Sequence, residues 1–303
     1  MTKPIYFLFM FMATAVIAFP GTADEYFRIG EKYFNEGRLH NARMVVQEAI
    51  ELFPEDIRFH LSLGRIYYRF SNLHTSLLHF SRAIELGDAS AEIYNMRSRL
   101  HRLMGNYAEA LADNNRAMNL EPKNDMLYRE RAMLFSALRN SALALADFDR
   151  AMEINPLSYD NFHERGIHFV SVGDFESALA DFNRALNLNS EFIISLNARG
   201  TTLFFLGRPE EALEDFTTVI RLNKNDRDAH FSRGFLNFNL GRFSEAAQDF
   251  TEVIRINPND RYAHLNRAHS YRQLASLASD SVQALDYLQR AQADEATAAL
   301  LGN

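Results

Sequence analysis

The stretch from Tyr159 to Phe192 reads YDNFHERGIHFVSVGDFESALADFNRALNLNSEF, two short amphipathic segments separated by a glycine turn. Its small residues recur along the chain at spacings that are multiples of 34. Positions in phase with Gly166 hold Gly30, Gly64, Gly200 and Gly234, and those in phase with Ala178 hold Ala42, Ala110, Ala144, Ala212 and Ala246. A strict period of this length indicates a repeat architecture in which each repeat is one supersecondary unit.

Seven contiguous 34-residue repeats run to residue 260 without insertion or deletion. The first begins at residue 23, so the repeats fill residues 24–260 of the expected mature chain. An eighth begins at residue 261 and gains four residues near residue 280, after which Ala284 and Ala291 resume the pattern. Residues 261–303 are therefore expected to form a degenerate eighth repeat that ends in a capping helix, because terminal repeats of such arrays need a polar outer face.

This pattern resembles that of the tetratricopeptide repeat (TPR) family. The family favours a large residue at position 4 of each repeat, a small one at 8, an aromatic at 11, alanine at 20 and 27, and an aromatic at 24. The quoted repeat meets it with Phe162, Gly166, Phe169, Ala178, Phe182 and Ala185. The resemblance implies an all-α, right-handed superhelical solenoid of stacked antiparallel helix pairs, about eight TPR units long. Close packing of helices supports this prediction, since small residues at positions 8, 20 and 27 let paired helices approach closely.

Five polar residues stand where the pattern predicts large apolar side chains. His60, His230 and His264 occupy position 4, Asn237 occupies position 11 and Asn114 occupies position 24. Buried polar groups of this kind need hydrogen-bond partners. We therefore expect local polar contacts at these places without a change of fold.

Arginine recurs at position 7 and aspartate at position 23, and the first two repeats lack both. The series are Arg97, Arg131, Arg165, Arg199, Arg233 and Arg267, and Asp113, Asp147, Asp181, Asp215 and Asp249. Their joint presence predicts pairing, because a half-buried ion keeps its charge only when it is paired. If each aspartate pairs with the arginine of its own repeat and with that of the next repeat, then Arg97 and Arg267, at the two ends of the series, both have a partner. We predict a structural ladder of this kind.

Two regions of the predicted concave face are candidates for partner binding, since the resemblance places ligand contacts on the first helix of each repeat. The basic region comprises Arg58, Arg65, Tyr68, Arg69, Arg99, Arg102 and Arg129. Arginine offers a planar fork that suits carboxylates. The alternative is a solvated basic face that Glu92 and Glu130 partly neutralise.

The second candidate region is apolar. It comprises Ile167, Val170, Ile194, Phe204, Phe205, Phe231, Phe235 and Phe238. Exposed aromatic clusters are typical anchor pockets of binding surfaces. The alternative is that some of these rings pack between neighbouring helices.

Composition restricts the functional class. A formal net charge of −7 argues against a general nucleic-acid binder. The absence of cysteine excludes disulfides and thiolate catalysis. Histidines such as His163 and His168, five apart, lie on different sides of a helix, and no metal or nucleophile motif occurs. We therefore expect no cofactor, no metal site and no enzymatic activity.

The N-terminus predicts export. Lys3 precedes the apolar run from Ile5 to Phe19, and the small residues Gly21 and Ala23 follow. This arrangement is typical of a secretory signal peptide, residues 1–23, which is cleaved. The alternative is a membrane anchor, because the uncharged stretch reaches the roughly 20 residues that a bilayer span needs. The periplasm is the expected location, with a secreted or inner-membrane-anchored protein as alternatives.

These features together predict a scaffold that binds a peptide or protein partner in its concave groove, in a complex of the cell envelope. Two alternatives remain open. One is a ligand-handling accessory subunit of an envelope transporter, which holds a lipid or small apolar molecule on the phenylalanine cluster. The other is a self-assembling solenoid, since a homo-oligomer can form through the ends of the stack.

Overall fold

The computed structural model describes residues 21–301, which form helices joined by short turns and contain no strand. The residues outside this range include most of the predicted signal peptide. The helices are α1 (Ala23–Asn35), α2 (Leu39–Leu52), α3 (Ile57–Arg69), α4 (Leu73–Glu85), α5 (Ala91–Leu103), α6 (Tyr107–Leu120), α7 (Asp125–Ala137), α8 (Ser141–Ile154), α9 (Tyr159–Val172), α10 (Phe175–Leu188), α11 (Ile193–Phe205), α12 (Pro209–Leu222), α13 (Arg227–Asn239), α14 (Phe243–Ile256), α15 (Arg261–Leu277) and α16 (Ser281–Leu300).

The helices form two compact bodies. The N-terminal body ends at Pro122 and holds α1–α6, and the C-terminal body starts at Lys123 and holds α7–α16. In each body every odd-numbered helix, here called an A helix, packs against the following B helix. In the C-terminal body, each A helix also contacts the next A helix. The predicted all-α fold of stacked antiparallel helix pairs is confirmed.

The small residues of the repeat let paired helices touch. Ala178 and Ala185 on α10 are fully buried. A methyl group added at Gly166 on α9 would come within 2.7 Å of the Phe182 ring. The backbone of the A helix therefore lies directly against an aromatic ring of its B helix, which only glycine permits at this distance.

The turn between paired helices keeps one backbone conformation in the first seven helix pairs. Gly173 ends α9 with a φ of 83°. Ser71 and Arg139 stand at the same position of their repeats and adopt a φ of 57°. Packing of the flanking helices thus imposes the left-handed conformation even on residues that pay a steric penalty for it.

The last hairpin departs from the period more than the sequence predicts. Helices α15 and α16 have 17 and 20 residues. Ala291 and Ala298 on α16 are fully buried, whereas Ala284 is only half-buried. The expectation that Ala284 and Ala291 resume the repeat is therefore wrong, because the buried pair lies seven residues further on.

The outer surface of this hairpin is not uniformly polar, although a capping helix was expected there. Leu277, Val282 and Leu285 are exposed close to the tip. Between residues 21 and 301, no helix combines the length and apolar character of a membrane span, and this includes α15 and α16.

Candidate functional site

The phenylalanines of the C-terminal body form an exposed aromatic surface on the A helices α11 and α13. The Phe204 ring lies 5.6 Å from that of Phe205 and 6.1 Å from that of Phe235, measured between centroids. Phe205 also stacks on Phe175 of α10 at 5.1 Å. These contacts hold the rings in place while leaving Phe205 59% and Phe235 41% exposed.

A small apolar cavity of about 220 Å³ opens in this surface. It is lined by Thr201, Phe204, Phe205, Phe216, Phe231, Ser232, Phe235 and Leu236. An apolar cavity of about 150 Å³ is large enough to bind benzene, whereas sites for drug-sized molecules span roughly 300–1,000 Å³. The cavity therefore matches one large apolar side chain.

The remaining residues of the predicted apolar region differ in exposure and packing. Ile167 and Ile194 are exposed and extend the apolar surface along α9 and α11. Phe231 packs edge-on against Phe250 at 5.5 Å, and Phe238 packs against Phe243 at 5.3 Å. Phe238 does not line the cavity, and its contact with α14 matches the packing alternative. Val170 is half-buried on α9.

The arginines of the predicted basic region are partly neutralised. On α3, Arg58 forms ion pairs of 2.7 Å with Asp24 and with Asp56, and Arg65 lies 3.3 Å from Glu31. For Arg58 and Arg65, the neutralising carboxylates are therefore Asp24, Asp56 and Glu31. These ion pairs reduce the net charge that the region can offer to a ligand.

Aromatic rings lie close to the guanidinium groups of Arg65, Arg69 and Arg99. The Arg65 guanidinium lies 4.6 Å and that of Arg69 5.9 Å from the Phe34 ring centroid. Arg99 on α5 lies 5.9 Å from the ring of Tyr68, and Arg102 is on the same helix. Such cation–π contacts hold guanidinium groups in fixed positions at a protein surface.

Arg129 belongs to a separate polar cluster of the C-terminal body. Its Nη1 donates to Asn161 Oδ1 at 2.7 Å, and Asn161 Nδ2 donates to Asp125 at 2.9 Å. Asn161 is buried. The structure thus places Arg129 in a contact between α7 and α9.

The recurrent arginine and aspartate form bidentate ion pairs inside their own repeats. Arg199 Nε and Nη2 donate to the two carboxylate oxygens of Asp215 at 2.8 and 2.6 Å. The same geometry joins Arg97 to Asp113, Arg131 to Asp147, Arg165 to Asp181 and Arg233 to Asp249. All five aspartates are buried. The pairs therefore brace the A helix against its B helix.

The predicted bridging of each aspartate to the next arginine is wrong in the C-terminal body. The third nitrogen of Arg165 donates instead to Asp149 at 2.6 Å, and that of Arg199 to Asn183 at 2.8 Å. Thr217 and Thr251 accept in the same way from Arg233 and Arg267. Each acceptor stands two residues after the aspartate of the preceding repeat.

Matches to family models decide what kind of protein these repeats form. Tetratricopeptide repeat models match residues 27–91, 91–124 and 197–261, which together exceed half of the chain. The chain belongs to the TPR family. Among curated proteins, no sequence matches it.

Solved TPR structures share the fold. A TPR protein from Parabacteroides merdae is 20% identical with a TM-score of 0.63, covering 82% of this chain and 98% of that one. Yeast Tom70 is 19% identical with a TM-score of 0.64, covering 90% of this chain and 54% of Tom70. YrrB, described as a TPR protein with an unusual peptide-binding site, is 26% identical with a TM-score of 0.50, covering 61% of this chain and 95% of YrrB.

Three residues that line the cavity were not predicted from the sequence. Thr201 and Ser232 line the cavity beside the rings, and Phe216 reaches it from the B helix α12. Thr201 and Ser232 stand at TPR positions 9 and 6, where the first helix contacts ligands, but small polar side chains do not mark a binding site in a sequence.

In residues 21–301, no three His, Asp or Glu side chains gather as metal ligands would.

Proposed function

We propose that this TPR protein is a non-enzymatic scaffold that binds a peptide or protein partner on the A-helix surface of its C-terminal body. The TPR fold is a protein-interaction fold, and its relatives include a peptide-binding protein. The observation that carries the proposal is the cavity between Phe204, Phe231 and Phe235, which opens in an exposed aromatic surface.

The partner inserts one large apolar side chain into this cavity. Aromatic side chains at a desolvated centre carry most of the energy of typical interfaces. Phe205, which lines the cavity, and Ile194, about two turns before Thr201 on α11, are both exposed and supply apolar surface for the neighbouring residues of the partner. An extended or helical segment with a single aromatic or branched aliphatic anchor fits this arrangement.

Arginines of the N-terminal body form a separate, weaker candidate contact for acidic groups of a ligand. Arg69 is exposed and lies over Phe34. Arg58 and Arg65 contribute less, because nearby carboxylates already neutralise them. Charge pairs at the rim of an interface affect the association rate more than the affinity.

The N-terminal sequence supports action in the cell envelope. Residues 1–23 have the charge, apolar run and small residues of a signal peptide. Expression of the full chain in a bacterial host, followed by fractionation and intact-mass measurement, tests this point. Recovery in the periplasm with loss of residues 1–23 is expected, and retention of the segment in the membrane fraction would favour the anchor.

Selection from a random peptide library on the full chain tests the binding function. Peptides are selected on the parent and counter-selected on Phe204→Ser/Phe235→Ser. We expect the enriched peptides to share one large apolar residue and to bind the variant at least about tenfold more weakly. Peptides that bind both proteins equally would contradict the proposal.

The size of the cavity bears on the lipid-carrier alternative. At about 220 Å³ it lies below the roughly 300–1,000 Å³ typical of sites for small molecules. A single side chain therefore fits it better than a lipid does.

Self-association is a second candidate function. Leu277, Val282 and Leu285 expose apolar surface at the tip of the last hairpin, and such surface favours interfaces. Light scattering on the full chain tests it. A dimer in the parent that dissociates in Val282→Ser/Leu285→Ser would support self-association, and a monomeric parent would exclude it.

A further inference from the structure

A polar cavity lies on the opposite side of α13 from the aromatic one. Its volume is about 640 Å³, within the roughly 300–1,000 Å³ of small-molecule sites. His230, Arg233 and Asn237 of α13 form its floor, and residues of α12 and α14 form its walls. On a helix of 3.6 residues per turn these three residues face away from Phe231 and Phe235.

The cavity lies where this repeat has polar side chains in place of two aromatic ones. Positions 4 and 11 hold Phe162 and Phe169 in α9. In α13 the same positions hold His230 and Asn237. The shorter polar Asn237 leaves space between the helices that an aromatic ring would fill.

The charges of the floor are balanced and fixed. Asp249 on α14 is buried and receives two hydrogen bonds from Arg233, at 3.0 and 2.8 Å. His230 Nδ1 lies 3.2 Å from Asp249 Oδ1, and Asn237 Nδ2 donates to Asp249 Oδ2 at 3.4 Å. His230 Nε2 lies 3.2 Å from the carbonyl oxygen of Lys224. A floor held in this way is preorganised for a ligand.

Some of the polar groups remain available to a ligand. Asn237 is 6% exposed and uses its amide nitrogen on Asp249, while its amide oxygen forms no hydrogen bond with any residue between 21 and 301. On the wall, the side chains of Glu245 and Gln248 form no hydrogen bond or ion pair within that range and are exposed. The available groups are therefore mainly acceptors, which hydroxyl groups satisfy.

We propose that this cavity binds a small, uncharged, hydroxyl-rich molecule of the mono- or disaccharide class. An anionic ligand would face Glu245, Glu252 and the carboxylate of Asp249. A cationic ligand would find only Glu245 free to pair with it, because Asp249 is already paired with Arg233 and Glu252 with Arg255. Leu213 supplies an apolar patch for the C–H groups of a sugar ring. This site is separate from the proposed peptide-binding surface and does not depend on it.

Saturation-transfer NMR on the full chain tests the proposal. D-Glucose, maltose and N,N′-diacetylchitobiose serve as hydroxylated probes, and acetate and spermidine as charged ones. We expect saturation transfer to at least one hydroxylated probe and to neither charged one. Transfer to no hydroxylated probe would overturn the proposal, and so would binding of spermidine or acetate in place of the sugars.

Variants locate the binding in the cavity. Asn237→Phe restores the residue type that α9 carries at this position, so the helix pair should still form while the cavity is filled. Gln248→Leu removes an exposed amide from the wall. Each should weaken sugar binding, Asn237→Phe at least tenfold and Gln248→Leu several-fold.

Phe235→Ser, on the other face of α13, is the matched control and should leave sugar binding unchanged. Sugar binding that persists in both Asn237→Phe and Gln248→Leu would overturn the proposal. If Asn237→Phe fails to fold by circular dichroism, the result with Gln248→Leu decides.

Discussion

Arg267 and Asp294 form a bidentate ion pair, with Nε–Oδ2 and Nη2–Oδ1 distances of 2.8 and 2.7 Å. The two residues are 27 apart in sequence, eleven more than the sixteen that separate Arg199 from Asp215. Asp294 also lies 2.9 Å from His264 Nδ1. The last hairpin therefore keeps the contacts of a normal repeat at its base and places its additional residues toward its tip.

This register predicts which alanine of α16 tolerates a larger side chain. Ala291 is fully buried, in the same place as Ala212 of α12. Ala291→Leu should lower the free energy of unfolding by about 1–3 kcal/mol, because overpacking a filled core forces side chains off their rotamers. Ala284→Leu should have little effect. Urea unfolding followed by circular dichroism measures both, and the reverse order would contradict the register.

Arg165 binds one buried and one exposed carboxylate, so its two partners should contribute unequally to stability. Asp181→Ala leaves a half-buried arginine without its carboxylate and should cost about 3–5 kcal/mol of unfolding free energy. The Asp149 side chain is 62% exposed, and Asp149→Ala should cost less than about 1 kcal/mol. Thermal and urea unfolding of both variants provide the comparison. An Asp181→Ala variant as stable as the parent would show that these pairs do not brace the repeats.

Buried histidines should make the fold sensitive to acid. Burial lowers the pKa of His163 to about 4, and the ring lies 2.8 Å from Ser195 Oγ through Nδ1. In the unfolded chain a histidine titrates near pH 6.5, so there the unfolded state binds more protons than the folded state. Stability should therefore fall as the pH is lowered from about 6.5 to about 4.

His163→Gln should reduce this loss, measured as the change in urea midpoint between pH 7 and pH 5. Exposed His74 is the matched control, and His74→Gln should keep the pH dependence of the parent. An equal pH dependence in all three proteins would mean that His163 does not stay neutral in the fold. Burial and His60 likewise lower the pKa of His79 to about 4, so some acid sensitivity should remain in His163→Gln.

The period of the sequence was sufficient to predict the helix pairs and their turns. Small residues such as Gly166 and Ala178 recur because two backbones meet there, and that requirement is local and repeats with the fold. The turn position persists even where Ser71 and Arg139 replace glycine. The register of α16 could not be predicted, because an insertion removes the period and alanine occurs throughout that helix.

The side-chain contacts were less predictable than the fold. The recurrence of charged residues predicted the Arg–Asp pairs. It did not predict Asn183 and Thr217 as acceptors for Arg199 and Arg233, because these two acceptors carry no charge. The position of Phe204 and Phe235 on one helix face follows from helical spacing. Whether a ring such as Phe238 packs inward depends on its rotamer and on Phe243 in the next helix, which spacing alone does not determine.

A double-mutant cycle between a selected peptide and the aromatic cavity tests whether the partner binds there. Titration calorimetry measures the affinity of the peptide, and of its anchor→Ala form, for the parent, for Phe235→Ser and for Arg65→Glu. We expect a coupling free energy of about 1–2 kcal/mol between the anchor and Phe235 and none between the anchor and Arg65. Effects of the anchor and Phe235 that add to within about 0.5 kcal/mol would contradict binding in the cavity.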